Sequence, residues 1–479
     1  MCTRLAVVAL LSVALSIACG SAGPAPSFSL IYSPAARHHG PDRNPIIVIP
    51  GILGSKLRDP ATDALAWGAF EGGATDPEKP AGARLIALPI DAVHSLAELR
   101  DEIVPSGALD RVHIRLAGIA IDIQAYAGIL ATLGAGGYRD ESLGLGGEVD
   151  YGKEHFTCFQ FDYDWRRDNV EGAKRLHAFI EEKRALVQAE YAKRFGIENA
   201  DVKFDIAAHS MGGLLTRYYL MYGAQDLPES GALPELTWAG AERVERVILI
   251  GTPNAGSVDA LVQLVDGRKI GPLLPYYPPA VPGTFPSIYQ LLPRARHRPV
   301  RWEGDASQSV AELFDPALWE RSGWGLADPA RAGDLATLMP DVHDAGERRT
   351  AALAFQRRAL ERARAFQAAL DRRDATPPDG LDLRLVAGDA TETAEQVAVR
   401  RATGALRVVA WGPGDGTVLR SSALLDERAG SAWRPSIDSP LAFQQTLLLP
   451  DTHLGLTRST AFRDNVLYWL LEEPRARRR

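Results

Sequence analysis

Ala208-His209-Ser210-Met211-Gly212-Gly213 is the stretch on which the reading of this chain turns. It follows the apolar run 204–208 and precedes the amphipathic run 214–221, so a strand, a tight turn and a helix meet at one serine. Such a turn lifts the Ser210 hydroxyl clear of a sheet and aims a helix N-terminus at developing negative charge, which is what an alcohol needs to become a nucleophile. Ala208 and Gly212, two residues before and after the serine, are small because a larger side chain would strike the neighbouring strand or helix where the turn is pinched. Ordinary Ser-Gly turns share the short pattern, and the strand before and helix after set this one apart from them.

Outward from the serine, apolar β-branched runs recur. The run 45–49 ends at Pro50-Gly51-Ile52-Leu53-Gly54-Ser55, and 156–161 precedes Asp162-Tyr163-Asp164-Trp165-Arg166. The run 243–250 is closed by Gly251-Thr252-Pro253-Asn254-Ala255-Gly256, and further runs lie at 383–387, 406–411 and 446–449. Helical apolar spacing covers 170–191. Strands alternating with helices predict an α/β fold with a mostly parallel, doubly wound sheet and ligands at the carboxyl ends of the strands. We read a core in two parts, 45–256 and 381–479. The segments 59–118 and 257–380 lack strand patterning and read as insertions. The second is rich in Pro and aromatics over 272–299, carries a long helix over 342–373, and is expected to form a cap or lid, with plain scaffolding as the alternative.

A serine nucleophile needs a base, an acid that fixes the base's tautomer, and donors for an oxyanion. In a fold of this order the base comes late, and the only histidine after His343 is His453, in a loop after the strand 446–449. Asp415, glycine-padded in Gly414-Asp415-Gly416 after the run 406–411, is the expected acid, with Asp389 in reserve. The oxyanion donors are the backbone N–H groups of Met211, after the nucleophile, and Ile52, in the early Pro-Gly loop. His209 reads as a packing residue of the turn. Trp67, Phe70 and the aromatic stretch 276–289 either line the cap or pack on the core. Cysteine and histidine spacing fits no zinc site, and acyl chemistry of this kind needs no cofactor.

Residues 1–18 have the form of a signal peptide, with one charge, Arg4, before an apolar stretch too short to span a membrane comfortably, so export is expected. The sequence Leu15-Ser16-Ile17-Ala18-Cys19 resembles a bacterial lipobox, with Ser16 where leucine is usual, and marks Cys19 for lipid attachment; the alternative is cleavage and release as a secreted or periplasmic enzyme. Residues 19–44, rich in Pro, Ala, Ser and Gly, read as a flexible tether in which His38 and His39 are solvated. Beyond them only Cys158 remains, so no intrachain disulfide framework is expected. A net charge of −7 with both signs interspersed argues against nucleic-acid binding.

With these pieces placed, the chain resembles the lecithin:cholesterol acyltransferase family of α/β-hydrolases, which includes lysosomal phospholipase A2 and phospholipid:diacylglycerol acyltransferases. The resemblance rests on Ile47-Val48-Ile49-Pro50-Gly51-Ile52-Leu53-Gly54-Ser55-Lys56-Leu57, Asp162-Tyr163-Asp164-Trp165-Arg166, 208–213, Gly414-Asp415-Gly416-Thr417-Val418 and Thr452-His453-Leu454, in that order. It implies a lipid acyl-ester hydrolase or acyltransferase working through an acyl-serine, an alcohol or water as acceptor, and a structural or site-supporting role for Trp165 and Arg166; solubility and export make a monomer in peripheral contact with a membrane the expectation. Ala208 stands where the family usually has glycine, and the cysteine pair that mammalian members use to pin a lid loop is absent. Two other readings stay open: a soluble short-chain carboxylesterase, and a surface lipoprotein that keeps the fold without the chemistry.

Overall fold

The computed structural model describes residues 26–70, 75–108, 111–116, 119–124, 126–143, 155–228, 232–269, 275–431 and 433–475. The signal segment 1–18 and Cys19 lie outside the described residues.

Six parallel strands form the central sheet: β1 Ile46–Ile49, β2 Cys158–Gln160, β3 Phe204–His209, β4 Val244–Ile250, β5 Asp382–Gly388 and β6 Gln445–Leu449, in the order β6-β5-β4-β3-β1-β2. β1 and β3 are buried along their whole length, as strands covered by helices on both faces must be. The chain leaves β1 for β2 on one side and returns to β3 on the other, so the strand order reverses around β1. Ligands in open α/β sheets bind at such a reversal. The registers Ile49 to Ala208, Ile250 to His209 and Gly388 to Leu449 bring the carboxyl ends of five strands to one edge.

Four helices fix the surroundings of that edge. Helix α1 spans Asn169–Phe195; the Asp168 side chain caps its first turn, and Gly196 ends it in the left-handed conformation at φ 66°. Helix α2, Met211–Tyr222, follows the serine and is buried on every side. Helix α3, Ala345–Leu370, accounts for the long helical pattern of the second insertion, and α4 spans Thr460–Leu471. The last carbonyls of α3 are claimed by α2: Tyr222 Oη donates to Ala369 O at 2.9 Å and Arg217 to Leu370 O at 2.8 Å. These bonds satisfy acceptors that a helix end leaves open, and they fasten the insertion to the helix behind the serine.

Four expectations need correction. Residues 26–44 are not a loose tether: Phe28 and Tyr32 pack on Leu467 of α4, and Tyr32 Oη bonds Asp464 at 2.7 Å, because the aromatic side chains find an apolar strip on that helix. His38 is exposed beside Asp42 as expected, whereas His39 is half-buried against His155. The segment 59–118 does contain strands, in small sheets that include Val104–Ala108, Arg111–Leu116 and Ile119–Gln124. The run 406–411 does not enter the central sheet; Leu406–Gly414 pairs antiparallel with Thr391–Val399 in a separate four-stranded sheet, its residues mostly half-exposed. That sheet also takes two short strands, Val300–Trp302 and Asp305–Ser309, from the 257–380 insertion read as strand-free. Trp319, Trp324 and Phe355 of that insertion share one hydrophobic cluster with Ile47 and Leu249 of the sheet.

Four histidines are held neutral by this packing. Burial, with nearby cationic groups adding to it, lowers His39, His155 and His297 to about 4, and burial beside His453 lowers His209 to about 3. The folded rings refuse protons that the unfolded chain accepts at its ordinary value of 6.5, so their contribution to stability is complete above that pH and is lost as pH falls toward 4. His94, raised by Asp91, acts in the opposite sense, but it is single and exposed. The melting temperature is therefore expected to fall steadily between about pH 7 and pH 5 in a calorimetric series, and a flat profile over that window would contradict the assignment.

Candidate active site

Ser210 sits between β3 and α2 at φ 53° and ψ −127°, a conformation that an L-residue enters at a cost of about 1–3 kcal/mol. Its N–H donates to Ile250 O at 2.8 Å, which ties the turn to the end of β4. His453 Nε2 lies 2.9 Å from Ser210 Oγ, and His453 Nδ1 lies 2.7 Å from Asp415 Oδ2. A carboxylate can only accept, so Nδ1 carries the proton and Nε2 turns its lone pair to the hydroxyl. Asp415 Oδ1 accepts from the N–H groups of Thr417 at 2.9 Å and Val418 at 2.7 Å. Burial opposes ionisation of Asp415, but His453 and these donors prevail and hold its carboxyl below the usual value. The His453 backbone is fixed too, its N–H donating to Asp415 O at 2.9 Å.

Each of these three side chains rests on a glycine at a strand end. A Cβ on Gly51, after β1, would lie 2.6 Å from Ser210 Cβ; one on Gly388, the last residue of β5, would lie 2.5 Å from Asp415 Cβ. Gly251, after β4 at φ 56°, faces the His453 ring, where a Cβ would come within 3.1 Å of Cε1 and Nδ1. Gly212 approaches the Pro50 carbonyl so closely that a side chain there would overlap it. The small residue expected two positions after the serine is thus required by the end of β1.

Loop 50–55 is held through several of its polar backbone groups. Tyr163 Oη donates to Pro50 O at 3.0 Å, Gly51 N–H donates to Tyr126 Oη at 2.8 Å, and Gly54 N–H closes a turn onto Gly51 O at 3.0 Å. Leu53, at φ 64°, has its carbonyl fixed by the Trp67 indole N–H at 2.7 Å, and Ser55 O takes the Trp165 indole N–H at 3.0 Å. Ile52 N–H has no acceptor among the described residues, and Met211, the first residue of α2, has none four residues back inside the helix. Two N–H groups beside Ser210 are left to meet negative charge.

The structure thus brings together Ser210, His453, Asp415, Ile52 and Met211. Trp67 and Trp165 do not line an opening: both are buried, edge to face at 5.7 Å, and their N–H groups hold loop 50–55 from behind. Arg166 is buried and paired with Asp164 at 2.7 Å. Asp389 takes no part in the Ser210–His453–Asp415 chain, its N–H donating to Leu449 O at 3.2 Å. Tyr126, Tyr163 and Ser55, whose hydroxyl accepts the Tyr163 N–H at 3.1 Å, were not singled out from the sequence. Tyr163 lies within the quoted 162–166 block, whereas nothing local marks Tyr126, which acts across 75 residues. Two large cavities lie elsewhere: one of about 520 Å³ is lined by Tyr276, Arg321 and Arg331, another of about 980 Å³ by Leu227, Arg358 and Arg362.

Residues 148–314 match the model of the lecithin:cholesterol acyltransferase family. The chain resembles that family. The matched segment holds Ser210 and Met211, while Ile52, Asp415 and His453 lie outside it. A chain in the crystal structure of a Tle4-Tli4 complex is similar at 16% identity and TM-score 0.53, covering 90% of this chain and 98% of that one, which shows the fold alone. The mature lipase BlEst2 of Bacillus licheniformis (12% identity, TM-score 0.30, covering 91% of this chain and 94% of that one) and lipase 1 of Pelosinus fermentans (12%, 0.34, 90% and 99%) are more distant. No curated protein matches the chain. The mostly parallel, helix-covered sheet is the fold expected from the sequence, and the partial family match supports an acyltransferase-type enzyme.

Because Gly388 has no room for a side chain, Gly388→Ala is expected to push the Asp415 carboxylate off His453 and to lower the reactivity of Ser210 by about 10²-fold. Active-site titration with a fluorophosphonate, beside a melting curve showing a folded variant, checks this. Unchanged reactivity would contradict the packing argument.

Proposed function

We propose that this chain is an exported serine acyltransferase or lipid acyl-ester hydrolase that works through an acyl-serine. The observation that carries the reading is the continuous hydrogen-bonded chain from Ser210 Oγ through His453 to Asp415, with the unclaimed Ile52 and Met211 N–H groups beside the serine. In the forward half-reaction His453 Nε2 takes the Ser210 proton as Oγ bonds to the ester carbonyl carbon. The carbonyl oxygen becomes an oxyanion and accepts from Ile52 and Met211; each such donor typically accounts for about 10²–10³ in rate. Asp415 stays ionised and stabilises the imidazolium. On collapse the imidazolium proton goes to the departing alcohol oxygen, leaving the acyl group on Ser210. Water or an acceptor alcohol then repeats the sequence in reverse.

The family resemblance supports a lipid ester as donor and an alcohol as a candidate acceptor. Export, attachment through Cys19, peripheral membrane contact and a monomeric state belong to the same proposal and rest on residues 1–19 and the resemblance. The site takes no cofactor or metal in this scheme.

A fluorophosphonate probe is expected to label the wild type once per chain and Ser210→Ala not at all, and an unlabelled, folded wild type would sink the enzyme reading. Asp415→Asn is expected to lower kcat by roughly 10⁴ with the fold intact, since the amide N–H donates to His453 Nδ1 and holds the ring in the wrong tautomer. Incubation with phospholipid plus a sterol, read by mass spectrometry, separates the two outcomes: new sterol ester supports transfer, and free fatty acid alone supports hydrolysis.

A further inference from the structure

His209 and Tyr126 lie just behind the proposed site, and the reaction scheme uses neither. Both are buried, each about 3% exposed. His209 Nε2 is 3.1 Å from the His453 carbonyl oxygen, and His209 Nδ1 is 3.0 Å from Tyr126 Oη, which accepts the Gly51 N–H at 2.8 Å. The polarity of this chain is fixed at every link. A carbonyl only accepts, so Nε2 carries the ring proton. Burial keeps the ring neutral and the phenol protonated, so Nδ1 presents a lone pair that the Tyr126 hydroxyl fills while its oxygen receives Gly51.

The two ends of the chain are backbone groups of the two loops that must cooperate. At one end, the Pro50–Gly51 peptide is gripped on both sides, its carbonyl by Tyr163 and its N–H by Tyr126. The next peptide carries the Ile52 N–H. At the other end, His453 already has its N–H on Asp415 and its ring between Asp415 and Ser210, and the carbonyl is its last backbone polar group. Among the described residues no direct hydrogen bond joins the carboxyl-end loops after β1 and β6, so this chain is the polar link between them.

We propose that Tyr126 and His209 are positioning residues: the buried chain Gly51–Tyr126–His209–His453 sets the oxyanion loop and the general-base loop in one register, so that donors and base meet the same tetrahedral centre. This rests on the acyl-serine reading above. It differs from a packing role for His209, which any ring of similar volume would fill.

Three substitutions test it on hydrolysis of p-nitrophenyl butyrate and on the rate of fluorophosphonate labelling. Tyr126→Phe removes one hydroxyl, His209→Phe keeps a ring without polar atoms, and His209→Gln keeps an acceptor and a donor joined through one carbon. Tyr126→Phe and His209→Phe are expected to lower kcat and the labelling rate together by about 10- to 100-fold with KM within about twofold, because oxyanion stabilisation acts on the transition state alone. His209→Gln is expected to recover most of that loss. Full kcat in folded Tyr126→Phe, or a His209→Gln variant as impaired as His209→Phe, overturns the proposal. If His209→Phe does not fold, the comparison of Tyr126→Phe and His209→Gln with wild type decides. A wild type that is neither labelled nor active fails the acyl-serine reading itself, and the positioning role falls with it.

Discussion

Three glycines at strand ends set the geometry of the site. Gly51, Gly251 and Gly388 end or follow three parallel strands; Gly51 and Gly388 stand so close to Ser210 and Asp415 that a Cβ has no space, and Gly251, at a positive φ, packs tightly on the His453 ring. The sheet brings these strand ends level, through the pairings of Ile49 with Ala208 and Ile250 with His209. Side chains that come from positions 210, 415 and 453 are then pressed against backbone, which is the stiffest part of the molecule, and their mutual distances are set by the sheet.

Loop 50–55 is held against this frame by two tyrosine hydroxyls and two indole N–H groups, while the N–H groups of Ile52 and Met211 are left without an acceptor among the described residues. Backbone donors left without an acceptor next to a strained serine are placed to meet an anionic ligand or transition state. The same hold on the loop explains why Trp67 and Trp165, large aromatic residues near the site, serve the loop from behind and do not form an opening.

How much of this was legible in the sequence depended on whether the signal was local. The turn at 208–213, the late histidine and the glycine-flanked Asp415 could be read because each stands in a short loop beside an apolar run, in an order the chemistry requires. The central strands were legible as continuous apolar runs, although β6 is largely exposed or half-exposed in the structure. The separate sheet was misread: 406–411 looks like a core strand by composition, yet most of its residues are half-exposed, since an antiparallel hairpin needs cover on one face only. The strands at 111–116 and 119–124 were missed although Arg-Val-His-Ile-Arg-Leu alternates with a period of two. Tyr126 and the role of His209 had no local signal at all, because their partners are 75 and 244 residues away and are backbone atoms.

The central claim is that Ser210 carries the acyl group. Rapid-quench mass spectrometry tests it most directly: the chain is mixed with a phospholipid, denatured in acid within one turnover, digested, and the peptide containing Ser210 is weighed. A mass increase equal to the donor's acyl chain is expected on Ser210, growing in one kinetic burst and absent in Ser210→Ala. Release of fatty acid with no acyl adduct on Ser210, or with the adduct on another residue, would contradict it.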